Sequence, residues 1–162
     1  MKRRTIILAV IAVALLGAFL AFRPDRLFNN HIVNENMPAA FTARQTLATG
    51  TFHTALHPTS GVASVYQATD GTRILRLTHF TTSNGPDVHI YFVTAQNPTD
   101  NDSVKDAQYI DLGVIKGNVG DQNYNLGPNV DLSKYRSVVV WCKRFAFNFG
   151  YAPLTASQIS QN

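Results

Sequence analysis

The chain is 162 residues long, enough for one domain and a short appendage, and it carries a formal net charge of +4 and a single cysteine. Residues 1–48 hold six Lys or Arg and two acids, whereas residues 49–162 hold eight of each. A neutral folded part excludes nucleic acid as the default partner. A lone cysteine excludes an internal disulfide, so it is a free thiol, an intermolecular bridge or a ligand.

The N-terminal segment is a candidate membrane span. Three cations among the first four residues precede eighteen uncharged residues, from Thr5 to Phe22. As a helix this run would be about 27 Å long, close to the hydrocarbon thickness of a bilayer. The cations favour a cytoplasmic N-terminus, which places the rest of the chain outside the cytoplasm. A cleaved signal peptide is the alternative, but no small-x-small cleavage pattern ends the run, so we expect residues 1–22 to form a retained signal anchor that contacts membrane lipid.

Residues 23–48 have the composition of a spacer. They contain Pro24 and Pro38, several polar residues and no sustained periodicity, apart from a short helix expected over residues 39–47. The spacer would hold the folded part off the membrane surface. The domain itself is predicted for residues 49–154, and residues 155–162 form a polar tail that we expect to fray.

The domain has the pattern of an all-β protein. Its segments are short and separated by Gly, Pro, Asn and Asp, which is typical of an antiparallel β-sandwich or barrel of roughly eight strands. Asp70-Gly71 between two apolar runs predicts a hairpin. Every acid in the domain is Asp, a residue favoured in turns. The predicted strands cover residues 50–56, 61–67, 73–80, 88–94, 109–115, 123–126, 137–142 and 145–152.

The segment from Val138 to Phe149 contains the cysteine within a β-branched and aromatic run, which favours a largely buried strand. Alternation of side chains then defines two faces. We expect the aromatic face to form the core and the other face to carry the cysteine. The first face holds Trp141, Phe145, Phe147 and Phe149, and the second holds Val138, Val140, Cys142 and Arg144.

Cys142 and Arg144 are the candidate catalytic pair. A guanidinium two residues along on the same face favours the thiolate, which is the better nucleophile and metal ligand. This interpretation assumes that no bulge occurs at Lys143-Arg144. The alternative is a small buried hydrophobic residue, because free cysteines are among the most buried residues in proteins.

A second candidate surface lies on the strand predicted over residues 88–94. Asp87, His89 and Tyr91 alternate with apolar residues, so they share the face away from the core. A carboxylate, an imidazole and a phenol on one face could coordinate a ligand or move protons, or they could form a solvated strand face. No pair of histidines has ligand spacing, and the missing second cysteine excludes c-type haem attachment.

One further candidate site is weaker. The acidic loop at residues 100–106 lacks the spacing of a calcium loop and is expected to be a solvated turn. Hydrolase and nucleotide-binding motifs are absent from the sequence. The pattern therefore favours a redox carrier or a binding module over an autonomous enzyme.

Taken in order, the landmarks of residues 50–154 resemble the DM-thirteen family, the electron-transfer domain found beside DOMON modules in Skeletor-type proteins. The landmarks are Gly50-x-Phe52, Ser60-Gly61, Val65-Tyr66, Leu75-Arg76-Leu77, Gly85-Pro86-Asp87-Val88-His89-Ile90-Tyr91, Leu112-Gly113, Lys116-Gly117, Tyr124-Asn125-Leu126, Val139-Val140-Trp141-Cys142 and Ala152-Pro153-Leu154.

The resemblance implies a β-sandwich-like fold and a redox role for the family's characteristic cysteine, which corresponds to Cys142. That role would use either the bare thiol or a bound prosthetic group such as haem. Cys142, Trp141, Phe145 and His89 are then the candidates to hold such a group, and Arg144 would tune the thiolate. The sequence identifies no metal. Since no DOMON or cytochrome domain shares the chain, any electron donor would be a separate protein.

The sequence therefore predicts a single-pass membrane protein that presents an electron-transfer module outside the cytoplasm, centred on Cys142. The rival hypothesis is a non-catalytic binding module on the cell surface, with a structural cysteine. It would use the Asp87/His89/Tyr91 face or the acidic loop to bind a glycan, calcium or a protein.

Overall fold

The computed structural model describes residues 2–22 and 29–157. Its first element is α1 (Lys2–Phe22), which contains the stretch Arg3–Leu20. This stretch is long and apolar enough to cross a membrane, and all its side chains are exposed. The helix is apolar around its whole surface rather than along one stripe, which fits a lipid environment.

The elements that follow α1 are a 3-10 turn (Ala39–Phe41), β1 (Arg44–Thr51), β2 (His53–Thr54), β3 (Ser60–Ala68), β4 (Arg73–Thr81), β5 (Val88–Val93), α2 (Asn101–Lys105), β6 (Tyr109–Val114), β7 (Gln122–Leu126), β8 (Ser137–Cys142), β9 (Phe147–Pro153) and β10 (Thr155–Ala156). The strands form two antiparallel five-stranded sheets, which confirms the predicted all-β fold. In the first sheet the strand order is β10-β1-β3-β4-β7, and in the second it is β2-β9-β8-β5-β6.

The predicted Asp70-Gly71 hairpin joins β3 to β4. The Asp70 carboxylate accepts a hydrogen bond from the Thr72 amide at 2.9 Å, and the Gly71 amide donates to the Ala68 carbonyl at 3.0 Å. Gly71 has a φ of 86°, a conformation that glycine adopts without steric cost. The local sequence thus dictates this turn.

The main core lies between the two sheets. Apolar residues at alternate positions of the central strands meet there and are almost entirely buried. Burying each side chain of this size contributes roughly 1.5–3 kcal/mol. The largest contributors are Leu75, Leu77, Phe80, Ile90, Phe92, Val138 and Val140.

The outer face of the second sheet is also covered, and this is why all six residues of both β5 and β8 are buried. Val104 of α2 packs there against Val139 and Trp141. Asp100 caps α2 by accepting a hydrogen bond from the Ser103 amide at 2.8 Å. The acidic loop therefore supplies a helix cap, a structural role.

Residues 29–37 do not form the free spacer predicted from the sequence. The Glu35 carboxylate binds the Lys116 ammonium at 2.8 Å and the Asn123 amide at 2.7 Å, and Ile32 forms a parallel bridge with Val119. This segment therefore packs on the domain. Residues 23–28 of the spacer and 158–162 of the tail lie outside the described residues.

The short helix expected over residues 39–47 is also wrong. Only a 3-10 turn forms, at Ala39–Phe41, and β1 begins at Arg44. Pairing of β1 with β3 along seven registered positions outweighs the weak local preference for a helix.

Candidate functional site

Cys142 lies at the end of β8 on the face that packs between the two sheets. It belongs to the same buried cluster as Val138 and Val140 and has 0% of its surface exposed. The prediction that the aromatic face forms the main core is therefore wrong for β8. Both faces of this strand are buried, so hydrophobicity alone does not tell which one faces the opposite sheet.

Trp141 lies on the outer face, where it joins Tyr91, Val93 and Val139. It is 6% exposed. Because neighbouring strand residues point to opposite faces, Trp141 and Cys142 occupy separate environments although they are adjacent in sequence. Trp141 does not line a pocket around the thiol.

Arg144 and Phe145 lie in the turn between β8 and β9, not on a continuous strand. The turn ends at Ala146, which has a φ of 53°. Arg144 is exposed and Phe145 is 51% exposed, whereas Cys142 is fully buried. The predicted shared face of Cys142 and Arg144 is therefore wrong, since strand alternation stops at the turn.

The second sheet does contain a bulge near Cys142, but it lies in β9 and not at Lys143-Arg144. Val140 pairs with Gly150 and Trp141 pairs with Asn148, so Phe149 has no partner in the register. Phe149 is thus the extra residue of the bulge, and its side chain lies in the core between the sheets. Phe147, at the start of β9, is 41% exposed.

Asp87, His89 and Tyr91 share the outer face of the second sheet, as the alternation predicts, while Val88, Ile90 and Phe92 belong to the main core. His89 pairs across the strands with Trp141, which places both side chains on the same face. The outer face is covered rather than solvated, and His89 is buried there.

His89 lies between two carboxylates. Its Nε2 is 3.0 Å from Asp87 Oδ1, and its Nδ1 is 2.9 Å from Asp111 Oδ1. The Lys143 ammonium lies 3.2 Å from the other oxygen of Asp111. Each ring nitrogen of His89 thus has a carboxylate partner, and the two contacts hold the ring in one orientation.

The surroundings of Asp111 stabilise its charged form. Burial by itself acts to raise the pKa of Asp111, but hydrogen bonds from His89, the Gly113 amide and Lys143 outweigh it and lower the pKa below its usual value. The lowered pKa keeps Asp111 ionised at neutral pH, where it holds His89 in place.

Aromatic rings beside this network form a stack that reaches the surface, here called the aromatic ladder: Trp141, Tyr91 and Tyr109. The rings of Tyr91 and Tyr109 are parallel within 3° and 4.4 Å apart between centroids. The Tyr91 and Trp141 rings are 6.2 Å apart and tilted by 26°. Tyr109 is 53% exposed, so the ladder connects a buried indole to solvent.

Tyr91 is the middle ring of the ladder. Burial raises the pKa of its phenol, and the negative charge of Asp111 and the neighbouring Tyr109 raise it further. Tyr91 therefore keeps its proton at any physiological pH. Its ring also meets His89 edge-on at 6.3 Å.

Residues 51–154 match the family described as Electron transfer DM13, which covers well over half of the chain and every strand from β2 to β9. The chain belongs to the DM13 family. A search of curated proteins and a search of solved structures found no match to it.

The haem implied by the family resemblance does not fit at Cys142 of this DM13 domain. The thiol has no exposed surface and belongs to a cluster of apolar side chains that fill the space between the sheets. Neither of the two described clefts is lined by Cys142. Within residues 2–22 and 29–157, no group of three or more His, Cys, Asp or Glu side chains is placed to hold a metal ion.

A cleft of about 620 Å³ with a mixed polar and apolar lining opens beside Asp87, between residues 29–31, residues 83–88 and residues 114–118. Gly85 shapes this loop, because a Cβ there would come within 2.6 Å of Val88 and 3.0 Å of the Phe149 ring. Only glycine therefore fits at this position without displacing its neighbours. The cleft is a second candidate site in the DM13 domain, with Asp87 in its lining.

The sequence did not identify Asp111, Lys143 and Tyr109 as candidates for the functional site. Asp111 and Tyr109 come from β6, and Lys143 comes from the turn after β8. Alternation along β6 does place Tyr109 and Asp111 on one face. The sequence did not show, however, that β5 lies between β6 and β8, which is what brings the three residues to His89 and Tyr91.

Proposed function

We propose that this DM13 protein is a membrane-anchored module that carries single electrons outside the cytoplasm. The family match supports the redox role, and α1 supports the anchor. The cations before α1 support a cytoplasmic N-terminus and an extracytoplasmic domain. Its partners would be separate redox proteins that meet the domain at its surface.

The observation that carries the proposal is the aromatic ladder. Indole and phenol are, with the cysteine thiolate, the side chains most easily oxidised by one electron, and here three such rings stack from the interior to solvent. The 4.4 Å contact between Tyr91 and Tyr109 places their π-systems in direct contact. Tyr109 would be the point at which a partner exchanges electrons, because it is the exposed ring of the three.

Each step moves one electron. A strong one-electron oxidant, such as a ferryl haem protein, takes an electron from Tyr109 and is reduced, and the phenol releases its proton to water and becomes a neutral radical. One electron then passes from Trp141 through Tyr91 to this radical, so that Tyr109 regains a proton from water and Trp141 becomes a radical cation. A reduced partner protein finally returns one electron to Trp141 through Tyr109 and Tyr91, which restores the ladder.

The role of Cys142 as the redox-active group stays a prediction from the sequence. Its complete burial keeps it from contact with a partner thiol or disulfide in the described fold. Oxidising the thiol would also release a proton into an apolar cluster. We therefore assign electron transfer to the ladder, with Cys142 packed behind Trp141.

Tyr91→Phe in the full chain tests the ladder, because phenylalanine keeps the ring but is much harder to oxidise. Transient absorption after photo-oxidation of the detergent-solubilised protein would follow the tryptophanyl and tyrosyl radicals. We expect electron transfer from Trp141 to Tyr109 to slow by at least tenfold. Tyr135→Phe is the matched control, since Tyr135 stacks on Phe92 outside the ladder.

Cys142→Ala distinguishes electron transfer through the ladder from electron transfer at the thiol. Unchanged radical transfer in this variant supports the ladder, whereas loss of radical transfer would identify Cys142 as the redox-active group. Equal radical transfer in Tyr91→Phe and Tyr135→Phe would refute the ladder.

A cell-surface binding module is the second candidate, and the cleft beside Asp87 favours it. The cleft is lined by amides, His31, Lys116 and the Asp87 carboxylate, a mixture suited to a polar ligand such as a glycan. Glycan binding abolished by Asp87→Ala, together with normal radical transfer in Tyr91→Phe, would favour this function over electron transfer.

A further inference from the structure

The exposed large apolar side chains of the β domain are concentrated at one end of the sandwich. Six such residues occur within residues 29–157, and five lie at the end where β4 passes into β5. The sixth, Tyr109, lies at the opposite end of the second sheet, where β6 begins opposite Val93. The five are Ile32, Leu56, Val114, Phe145 and Phe147.

Backbone hydrogen bonds show that four loops share this end. The Lys143 amide donates to the Asp87 carbonyl at 2.9 Å, which joins the β8–β9 turn to the loop before β5. The Thr82 amide donates to the Asn118 carbonyl at 2.9 Å, and the Leu56 amide to the Asn148 carbonyl at 3.1 Å. The loops at residues 55–59, 82–87, 115–121 and 143–146 thus form one surface, here called the anchor-side end.

The chain that comes from α1 enters the domain at this same end. The Asn29 carbonyl accepts a hydrogen bond from the Asn84 amide group at 3.0 Å, and His31 Nδ1 lies 2.7 Å from the Lys116 carbonyl oxygen. Residues 23–28 separate Phe22 from Asn29. Even a fully extended chain spans at most about 25 Å over these seven steps. The anchor-side end therefore lies within that distance of the bilayer that α1 would cross.

The β8–β9 turn has the composition of a segment that binds at a membrane interface. Lys143 and Arg144 precede Phe145, and the rings of Phe145 and Phe147 lie 6.1 Å apart. Aromatic side chains prefer the interface between headgroups and acyl chains, while cations near them attract anionic headgroups. Lys143 also binds Asp111, which fixes the base of the turn against the sheet.

We propose that the anchor-side end rests on the bilayer that holds α1, with Phe145 and Phe147 inserted among the lipid headgroups. Ile32, Leu56 and Val114 would border the inserted turn on the same surface. The proposal rests on the membrane anchor of the proposed function and not on electron transfer. It orients the domain so that Tyr109, at the opposite end, faces away from the membrane and towards partner proteins.

Fluorescence quenching in the full chain, reconstituted into vesicles of phosphatidylcholine and phosphatidylglycerol, tests the proposal. Phe145→Trp places a reporter in the turn, and Tyr109→Trp is the matched control at the other end, with both corrected for Trp141 by the wild-type signal. Lipids brominated near the glycerol end of their acyl chains should quench the turn reporter at least threefold more strongly than the control. Equal quenching of the two reporters would overturn the proposal.

Additional measurements distinguish the possible outcomes. Phe147→Trp is a second reporter, and circular dichroism checks that each variant keeps its β structure. A blue-shifted Phe145→Trp emission that depends on protein concentration but not on brominated lipid would reveal contact with a second copy, and would also overturn the proposal. Release of the wild-type chain from vesicles by alkaline carbonate would instead refute the anchor itself. Retention of the chain with an unquenched turn would refute only the docking.

Discussion

The two faces of the second sheet differ sharply although they are made by the same strands. On the inner face, Cys142 lies among aliphatic and aromatic side chains that meet the first sheet. On the outer face, the next residue, Trp141, lies beside His89 and Tyr91, with two carboxylates in the same network. The inner face stabilises the fold through apolar burial, while the outer face combines burial with titratable and oxidisable groups. Functional residues are therefore expected on the outer face.

The largest effect on the free energy of unfolding should come from shortening a side chain of the inner face. Phe92→Ala removes a side chain with no exposed surface from the main core and should destabilise the domain by about 3–5 kcal/mol. Urea unfolding followed by Trp141 fluorescence measures this. Phe145→Ala, in the exposed turn, is the control and should change stability by less than about 1 kcal/mol. Similar losses in both variants would contradict the assigned faces.

Cys142 offers a finer test of the inner face. Cys142→Ser buries a hydroxyl among apolar groups, so it should be less stable than Cys142→Ala by about 1–3 kcal/mol. In the native wild-type protein, a thiol reagent should react with Cys142 only after unfolding. Rapid modification under native conditions would show that the thiol is accessible and would restore Cys142 as the candidate redox group.

On the outer face, Asp111 should make stability depend on pH. Its pKa is lowered in the folded protein, so the unfolded chain binds more protons in the acidic range. The contribution of Asp111, about 1 kcal/mol, should be present above about pH 5 and lost as the pH falls below about 4. Asp111→Asn should flatten this part of the stability curve. Asp106→Asn, which replaces an exposed aspartate outside the network, is the matched control.

The smallest effect on stability is expected at Lys143, the exposed member of the same network. Lys143→Gln removes the contact with Asp111 and should cost less than about 1 kcal/mol, because the ammonium is exposed and its charge is screened. The difference from wild type should shrink as salt is raised from 50 mM to 500 mM. A loss above about 2 kcal/mol would show that Lys143 contributes to the buried network itself.

The all-β fold, the Asp70-Gly71 hairpin and the shared face of Asp87, His89 and Tyr91 could be predicted, since each depends on local alternation or turn chemistry. The faces of β8 could not, because Trp141 and Cys142 are both buried and apolarity does not distinguish the main core from a covered outer face. Nor could the contacts of Asp111 be predicted. Asp111 meets His89 across 22 residues of the chain and Lys143 across 32 residues, and only strand pairing creates these contacts, which no local pattern encodes.

The segment at residues 31–36 is made early in synthesis, yet the groups that hold it come much later. Glu35 meets Lys116 and Asn123, partners 81 and 88 residues further along the chain. The contacts of Glu35 cannot form until the chain has been synthesised through Asn123. Closing so long a loop also costs conformational entropy, which opposes the formation of these contacts. If α1 inserts first, the rest of the domain folds while tethered, and its attachment beside the bilayer is completed among the last events of folding.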